Sequence, residues 1–179
     1  MSKKTFPINF IITGGTIDSH YEGSVDTVVP RKKSIIPKYI KSLQLYQEIE
    51  FSEICMKDSR DLTKQDLQNI CVAVEKSRCK KIIITHGTYT MPDTAKFLQK
   101  NLKDKEKVII ITGAMIPLEG FSPTDASFNL GFAIAKSQDL GNGIYVCMNG
   151  EMFLPDEIYI PQQKVEFIKE GRFTSIKEK

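Results

Sequence analysis

The sequence predicts a single α/β domain in which a mainly parallel sheet lies between two layers of helices. Apolar runs rich in β-branched residues alternate along the chain with segments of helical periodicity, and such runs are typical of parallel strands buried on both faces. The alternation favours a three-layer α/β/α architecture with a flavodoxin-like, or Rossmann-like, sheet. We expect the 179 residues to form one domain, 1–179, with a substantial core.

Five runs of mostly apolar residues are predicted to form the sheet, at 8–12, 49–56, 81–84, 108–112 and 143–148. After them, residues 152–154 and 158–160 are expected to pair as a small antiparallel extension. From Lys164 onward, charged and apolar residues alternate without a clear turn signal, so no element is predicted there.

Helices are predicted in the connections between these strands. The first places Ile36, Ile40 and Leu43 on one face. The second begins at a capping box formed by Thr63 and Asp66 and keeps an apolar stripe at helical spacing. The members of that stripe are Leu67, Ile70, Cys71 and Val74.

The last predicted helix, residues 127–136, is apolar on nearly all sides. A helix of this kind is either heavily buried or covered by another subunit, because large exposed apolar patches mark association sites. We therefore expect a homo-oligomer, most simply a homodimer.

Composition argues against several classes of protein. The net charge of +3 is too small to indicate a nucleic-acid partner, and no stretch approaches the roughly 18 apolar residues that a membrane helix needs. The start, Met1 to Lys4, leads into a strand rather than a signal-peptide core, so a cytoplasmic location is expected. The cysteines lack metal-site spacing and are predicted to be buried, reduced thiols.

Two short runs place a threonine on a glycine-containing turn directly after a predicted strand. Residues 12–17 read Ile-Thr-Gly-Gly-Thr-Ile, and residues 85–90 read Thr-His-Gly-Thr-Tyr-Thr. Ligands of open α/β sheets bind beyond the carboxyl ends of the strands, so the hydroxyls of Thr16 and Thr88 are expected to face one shared pocket. One hydroxyl can act there as a nucleophile and the other as a proton handler or an orienting group.

The same residues also have structural interpretations. Gly14 and Gly15 can simply provide positive φ angles for a turn, or they can cradle the phosphate of a nucleotide. His86 beside a glycine is more often structural than catalytic. Because His20 is the only other histidine of the chain, no metal site is expected.

Five motifs, in this order along the chain, resemble the amino-terminal domain of the bacterial-type L-asparaginase (asparaginase/glutaminase) family. The resemblance runs from about Ile8 to Asn149. The motifs are Thr-Gly-Gly-Thr-Ile at 13–17, Asp58-Ser59, His-Gly-Thr-x-Thr-Met at 86–91, Gly-Ala-Met-x-Pro at 113–117, and Thr-Asp-Ala-Ser-Phe-Asn-Leu at 124–130.

The resemblance implies an amidohydrolase that releases ammonia from asparagine or a similar small amide without any cofactor. In that case Thr16 is the nucleophile, Tyr21 assists it, and Thr88 positions or activates water. Ser59 grips the substrate carboxylate, and further substrate contacts are expected from Gly15, Asp58, Gly87 and Tyr89. Turn N–H groups at the strand ends are suited to form an oxyanion hole.

Three departures from the family bear on activity. Tyr89 stands where the family has an aspartate that holds the substrate's amino group and partners a lysine. Counting from neighbouring motifs places Ile158 or Ile160 where that lysine is expected, with Lys164 the nearest candidate. Family members also continue into a second domain, which completes the active site of a neighbouring subunit.

These departures leave a second hypothesis open, a catalytically silent amino-acid-binding or regulatory protein on the same scaffold. The changed aspartate and lysine positions favour it, whereas the Thr16 and Thr88 pair favours the enzyme. A phosphate or nucleotide binder of flavodoxin type is supported by the Gly-Gly turn alone.

The polar segment Asp18 to Pro30 is long for a strand–helix connection, and long connections in compact domains are often lids. The resembling family carries a tyrosine to its threonine on such a lid, and Tyr21 lies in this segment. We therefore expect the segment to be mobile without ligand and to close when a ligand binds, which strengthens hydrogen bonds by excluding water.

Overall fold

A six-stranded sheet forms the centre of the computed structural model, which describes residues 6–159 and 174–175. In chain order its strands are β1 (Ile8–Gly14), β4 (Ile49–Lys57), β5 (Lys81–Thr85), β6 (Val108–Thr112), β7 (Gly143–Met148) and β8 (Glu151–Phe153). They lie in the order β4-β1-β5-β6-β7-β8, and all neighbours are parallel except β7 and β8. This order confirms the predicted flavodoxin-like sheet, whose switch point lies at β1 and β5.

Helices cover both faces of the sheet, as the three-layer prediction requires. They are α1 (Ile36–Ser42), α2 (Lys64–Lys76), α3 (Met91–Asn101) and α4 (Ala126–Asp139). Alternate side chains of β1 divide between the two cores: Phe10 packs on the side of α1 and α4, and Ile11 on the side of α2 and α3. None of the helices in the described part of the chain is long and apolar enough to cross a membrane.

The connection through α4 has the opposite hand to the other three crossovers. The connections through α2, α3 and α4 all move across the sheet in one direction, yet α4 packs on the face opposite to α2 and α3. Crossovers between parallel strands are nearly always right-handed. The exception carries the segment 113–125 from β6 across the carboxyl edge of the sheet, where the candidate site lies.

The start of α2 confirms the predicted capping box. The amide of Asp66 donates to the Thr63 hydroxyl at 3.2 Å, and the amide of Thr63 donates to the Asp66 carboxylate at 2.8 Å. The Lys57 ammonium, 2.8 Å from the same carboxylate, and the Thr63 hydroxyl together lower the pKa of Asp66 to about 2. The beginning of α2 is thereby tied to the end of β4.

Two predicted elements differ in the structure. Residues 18–30, expected only as a long polar connection, contain β2 (Ser19–Glu22) and β3 (Thr27–Pro30), which pair as an antiparallel hairpin; its closure over a ligand stays a prediction. Likewise, 152–154 and the described residues 158–159 are not paired with each other. The strand β8 extends the main sheet beside β7, while β9 (Ile158–Tyr159) pairs with β10 (Thr174–Ser175); residue 160 lies outside the described residues.

Two burial predictions also need correction. Leu43 follows the last residue of α1 and is 42% exposed, because that helix ends one residue before it. All four cysteines are unpaired thiols, but Cys55 and Cys71 are only partly buried. The prediction for α4, burial or a subunit contact, is not contradicted: Phe128 is 57% exposed and stacks on Phe132, and the dimer stays a prediction.

Replacing Thr63 by alanine is expected to lower the free energy of unfolding by about 1–2 kcal/mol, because the first turn of α2 loses the acceptor for its Asp66 amide. Urea denaturation at pH 7 measures the change. Gln65→Ala, in the same turn, removes only an exposed bond to Asn69 and should change the free energy by less than about 0.5 kcal/mol. Equal effects of the two substitutions would contradict the assignment.

Candidate functional site

The turn after β1 packs its backbone directly on the turn after β5. Gly15 has φ +81° and ψ −179°, a conformation that is essentially restricted to glycine. A Cβ at this position would lie 2.4 Å from the Gly87 nitrogen and 2.5 Å from its Cα. The Gly15 amide also donates to the Lys57 carbonyl at 2.8 Å, which joins the ends of β1 and β4.

The turn after β4 meets the same glycine. Ser59 begins a 3-10 turn (Ser59–Asp61), is 2% exposed, and holds its hydroxyl 2.7 Å from where a Cβ of Gly87 would lie. That hydroxyl is buried and has no hydrogen-bond partner among the described residues. The Thr90 hydroxyl donates to the Ser59 carbonyl at 2.9 Å, so the turns after β4 and β5 are bonded to each other.

The turn after β5 carries the second candidate threonine. Thr88 is 1% exposed and begins a 3-10 turn (Thr88–Thr90) that runs directly into α3. Thr16 is partly buried and begins the corresponding turn after β1. The structure therefore brings the turns of Thr16, Ser59 and Thr88 together at one edge of the sheet.

The buried histidine holds the threonine turn in place. His86 is fully buried, and burial lowers its pKa to about 4, against the opposing effect of the Gly87 carbonyl. The ring is therefore neutral at pH 7. Its Nδ1–H donates to the Gly87 carbonyl at 2.7 Å, and Nε2 accepts from the Thr94 hydroxyl at 2.9 Å. This arrangement agrees with the structural interpretation of His86.

The segment 113–125 and the first turn of α4 hold the neighbouring strand ends together. The Asn129 side chain donates to the Gly113 carbonyl at 3.0 Å and accepts from the Asn149 amide at 2.9 Å, which clasps the ends of β6 and β7. The Leu118 amide donates to the Ile17 carbonyl at 3.1 Å, directly after the Thr16 position. The sequence motif at 124–130 indicated a family resemblance, but it did not predict these hydrogen bonds of Asn129.

The Tyr21 hydroxyl is engaged within the hairpin. It donates to the Asp26 carboxylate, which raises the pKa of Tyr21, and its side chain is 53% exposed. The base of the hairpin is held more firmly, because the carboxylate of Asp18 is buried and accepts from the Ile35 amide at 2.9 Å. Burial raises the pKa of Asp18. A catalytic part for Tyr21 would require its bond to Asp26 to break.

Two predicted substrate contacts, Tyr89 and Asp58, both contact the guanidinium of Arg60. The Arg60 guanidinium lies 4.7 Å from the centre of the Tyr89 ring. It also donates twice to the Asp58 carboxylate, each time at 2.9 Å. Sequence reasoning missed Arg60, since nothing in its local pattern distinguishes it from a solvated surface arginine.

Two cavities of the molecule lie elsewhere. One, of about 400 Å³, opens between the amino ends of β6 and β7 and the chain after β8, and the other, of about 550 Å³, lies between α2 and β4. Neither is lined by a predicted site residue. The lysine candidate Lys164 lies outside the described residues, and a shared pocket for Thr16 and Thr88 stays a prediction.

The fold and these turns define a doubly wound α/β domain with hydroxyl-bearing turns at its switch point, the usual ligand position of such sheets. The chain matches the family model "Asparaginase, N-terminal" over residues 7–169. It belongs to this family, which confirms the resemblance read from the five motifs.

Relatives and solved structures agree with this assignment. The chain is 30% identical over 154 residues to a probable periplasmic L-asparaginase of Haemophilus influenzae, covering 81% of the chain and 43% of the relative. The structure of a probable cytoplasmic L-asparaginase from Campylobacter jejuni aligns with a TM-score of 0.73 and 25% identity, over 96% of this chain and 52% of the other. A thermostable L-asparaginase from Thermococcus kodakarensis aligns with a TM-score of 0.77 and 25% identity, over 95% and 51%. The chain thus spans about half the length of the proteins it matches.

Gly15→Ala is expected to lower the free energy of unfolding by about 2–5 kcal/mol, because the new methyl group would overlap the backbone of Gly87 at a φ that alanine avoids. Gly131→Ala is the matched control: Gly131 lies in α4 with nothing within 4 Å of the added Cβ. That substitution should raise stability by about 0.5–1 kcal/mol. Chemical denaturation of both variants tests the contact, which would be refuted by a neutral Gly15→Ala.

The buried His86 predicts a loss of stability as the pH falls from about 6.5 towards 4. Below pH 6.5 the unfolded chain binds a proton at this histidine, whereas the folded chain does so only near its pKa of about 4. The loss from this group reaches about 3 kcal/mol across the window. The free energy of unfolding is measured between pH 7 and 5. Its decrease with falling pH should disappear in His86→Gln. The decrease should persist in His20→Gln, which alters a partly exposed side chain. The opposite pattern would refute the prediction.

Proposed function

We propose that the chain is an asparaginase-type amidohydrolase that releases ammonia from asparagine or a similar small amide, with Thr16 as its nucleophile. The observation that carries the proposal is the packing of the turns of Thr16 and Ser59 against Gly87, next to Thr88. Membership of the asparaginase family supports the reaction class.

In the proposed reaction the Thr16 hydroxyl oxygen attacks the carbonyl carbon of the amide. The developing oxyanion accepts hydrogen bonds from N–H groups of the turns. The C–N bond then breaks, and the nitrogen leaves as ammonia after taking up the hydroxyl proton of Thr16. Water hydrolyses the resulting threonyl ester, which releases the acid and restores the hydroxyl.

The neighbouring groups take supporting parts in this proposal. Thr88 orients or activates the water, and Tyr21 relays the proton once the hairpin closes and its bond to Asp26 breaks. Ser59 grips the substrate carboxylate, since its buried hydroxyl has no hydrogen-bond partner among the described residues and such groups are rare unless a ligand satisfies them.

A catalytically silent amino-acid-binding or regulatory protein is the second candidate. The observation that favours it is Tyr89, a neutral side chain with Arg60 stacked on it at 4.7 Å, where the resembling family has a carboxylate. Such a site is able to bind a small ligand without completing the proton transfers of hydrolysis.

We further propose that the protein acts in the cytoplasm as a homodimer. The location is supported by the similarity to a solved, probable cytoplasmic L-asparaginase, although another relative has a periplasmic name. Analytical ultracentrifugation at micromolar concentration tests the dimer, and a monomer there would contradict it.

Ammonia release from a panel of small amides separates the two candidate functions. Thr16→Ala is expected to lower kcat/KM by about 10³-fold or more, because the nucleophile is removed, while Thr16→Ser retains a hydroxyl and most of the activity. Thr88→Ala should cost on the order of 10²–10⁴-fold, as the loss of a proton-handling group does. Full activity in Thr16→Ala would refute the nucleophile. Binding without ammonia release would favour the silent protein.

A further inference from the structure

A stacked cation lies beside two of the buried candidate site residues. Tyr89 directly follows Thr88 in the same turn and is 42% exposed. Arg60 directly follows Ser59, and its guanidinium lies 4.7 Å from the centre of the Tyr89 ring. We call these two side chains the Arg60–Tyr89 pair; each is adjacent in sequence to a buried candidate site residue.

The carboxylate nearest to this pair is already engaged. Asp58 accepts from the Arg60 Nε and Nη2 atoms and also from the Arg60 amide, each at 2.9 Å. Such a two-pronged ion pair fixes the guanidinium plane and neutralises the carboxylate. The aromatic ring of Tyr89 and a guanidinium that is already paired therefore lie directly beside Thr88 and Ser59.

The other carboxylates of these turns also face cations of the chain. Asp66 is paired with Lys57 at 2.8 Å. Asp61 is exposed, and its charge lies close enough to raise the pKa of both Lys57 and Arg60. An additional ammonium group would have to compete with these cations for every one of these carboxylates.

We propose that the Arg60–Tyr89 pair makes the site selective for small carboxylic acid amides that lack an α-ammonium group, such as succinamate, over asparagine. The inference rests on the proposed function, since it names the substrate class of that site. An α-ammonium group beside Tyr89 would exchange water for an aromatic ring, while the nearest carboxylate, that of Asp58, is already held by Arg60. A methylene at the same place meets the apolar ring without an electrostatic penalty.

The test compares matched molecules that differ only in the α-amino group. Ammonia release gives kcat/KM for succinamate and asparagine, and calorimetry gives Kd for their products, succinate and L-aspartate, without any turnover. The wild-type chain should prefer the unsubstituted member of each pair by at least tenfold. Tyr89→Phe keeps the ring and should keep the preference. Tyr89→Asp adds a carboxylate and Arg60→Gln releases Asp58, so each should shift the preference at least tenfold towards asparagine and aspartate.

The outcomes distinguish this inference from the proposed function. If neither amide is hydrolysed but succinate still binds at least tenfold more tightly than L-aspartate, the hydrolase proposal fails and the selectivity stands. Equal or tighter binding of L-aspartate overturns the selectivity, as does a failure of both products to bind. A preference for asparagine that Asp61→Asn abolishes would also overturn it, because Asp61 would then hold the ammonium group.

Discussion

The contact between the backbones of Gly15 and Gly87 is the constraint on which the carboxyl edge of the sheet depends. A Cβ at Gly15 would lie only 2.4 Å from the Gly87 nitrogen, so the two turns can pack this closely because Gly15 has no side chain. Gly87 is restricted in the same way, because Ser59 occupies the space that a Cβ of Gly87 would take. The ends of three neighbouring strands thereby become one surface, and the hydroxyls carried by these turns are placed without long flexible side chains.

Hydrogen bonds from the rest of the domain hold this surface in position. His86 supports the turn of Thr88 from beneath through the Gly87 carbonyl, and Asn129 joins the ends of β6 and β7. The crossover through α4, with its unusual hand, leads residues 113–125 over the carboxyl edge of the sheet. There the Leu118 amide donates to the Ile17 carbonyl. The site is thus assembled from short segments, each fixed by the segment beside it.

The sequence predicts those features that local chemistry determines. The strands at 108–112 and 143–148 and the capping box at Thr63 follow from apolar runs and from one hydroxyl–carboxylate pair, and the structure has them as predicted. The hairpin of β2 and β3 could not be predicted, because its strands are largely polar and have no buried apolar face. The hand of the α4 crossover and the stacking of Arg60 on Tyr89 depend on residues distant in sequence, which no local pattern reports.

The most direct test of the account is to trap the acyl-enzyme during turnover. The protein is quenched with acid while it releases ammonia from its best amide, digested with trypsin and mapped by mass spectrometry. Thr16 and Thr88 fall in different tryptic peptides, since lysines and arginines separate them, at Arg31 and Lys81 among others. The account predicts the acyl group of the substrate on the peptide that contains Thr16 and no adduct in Thr16→Ala. An acyl group on the peptide that contains Thr88, or ammonia release with no adduct on either peptide, would contradict it.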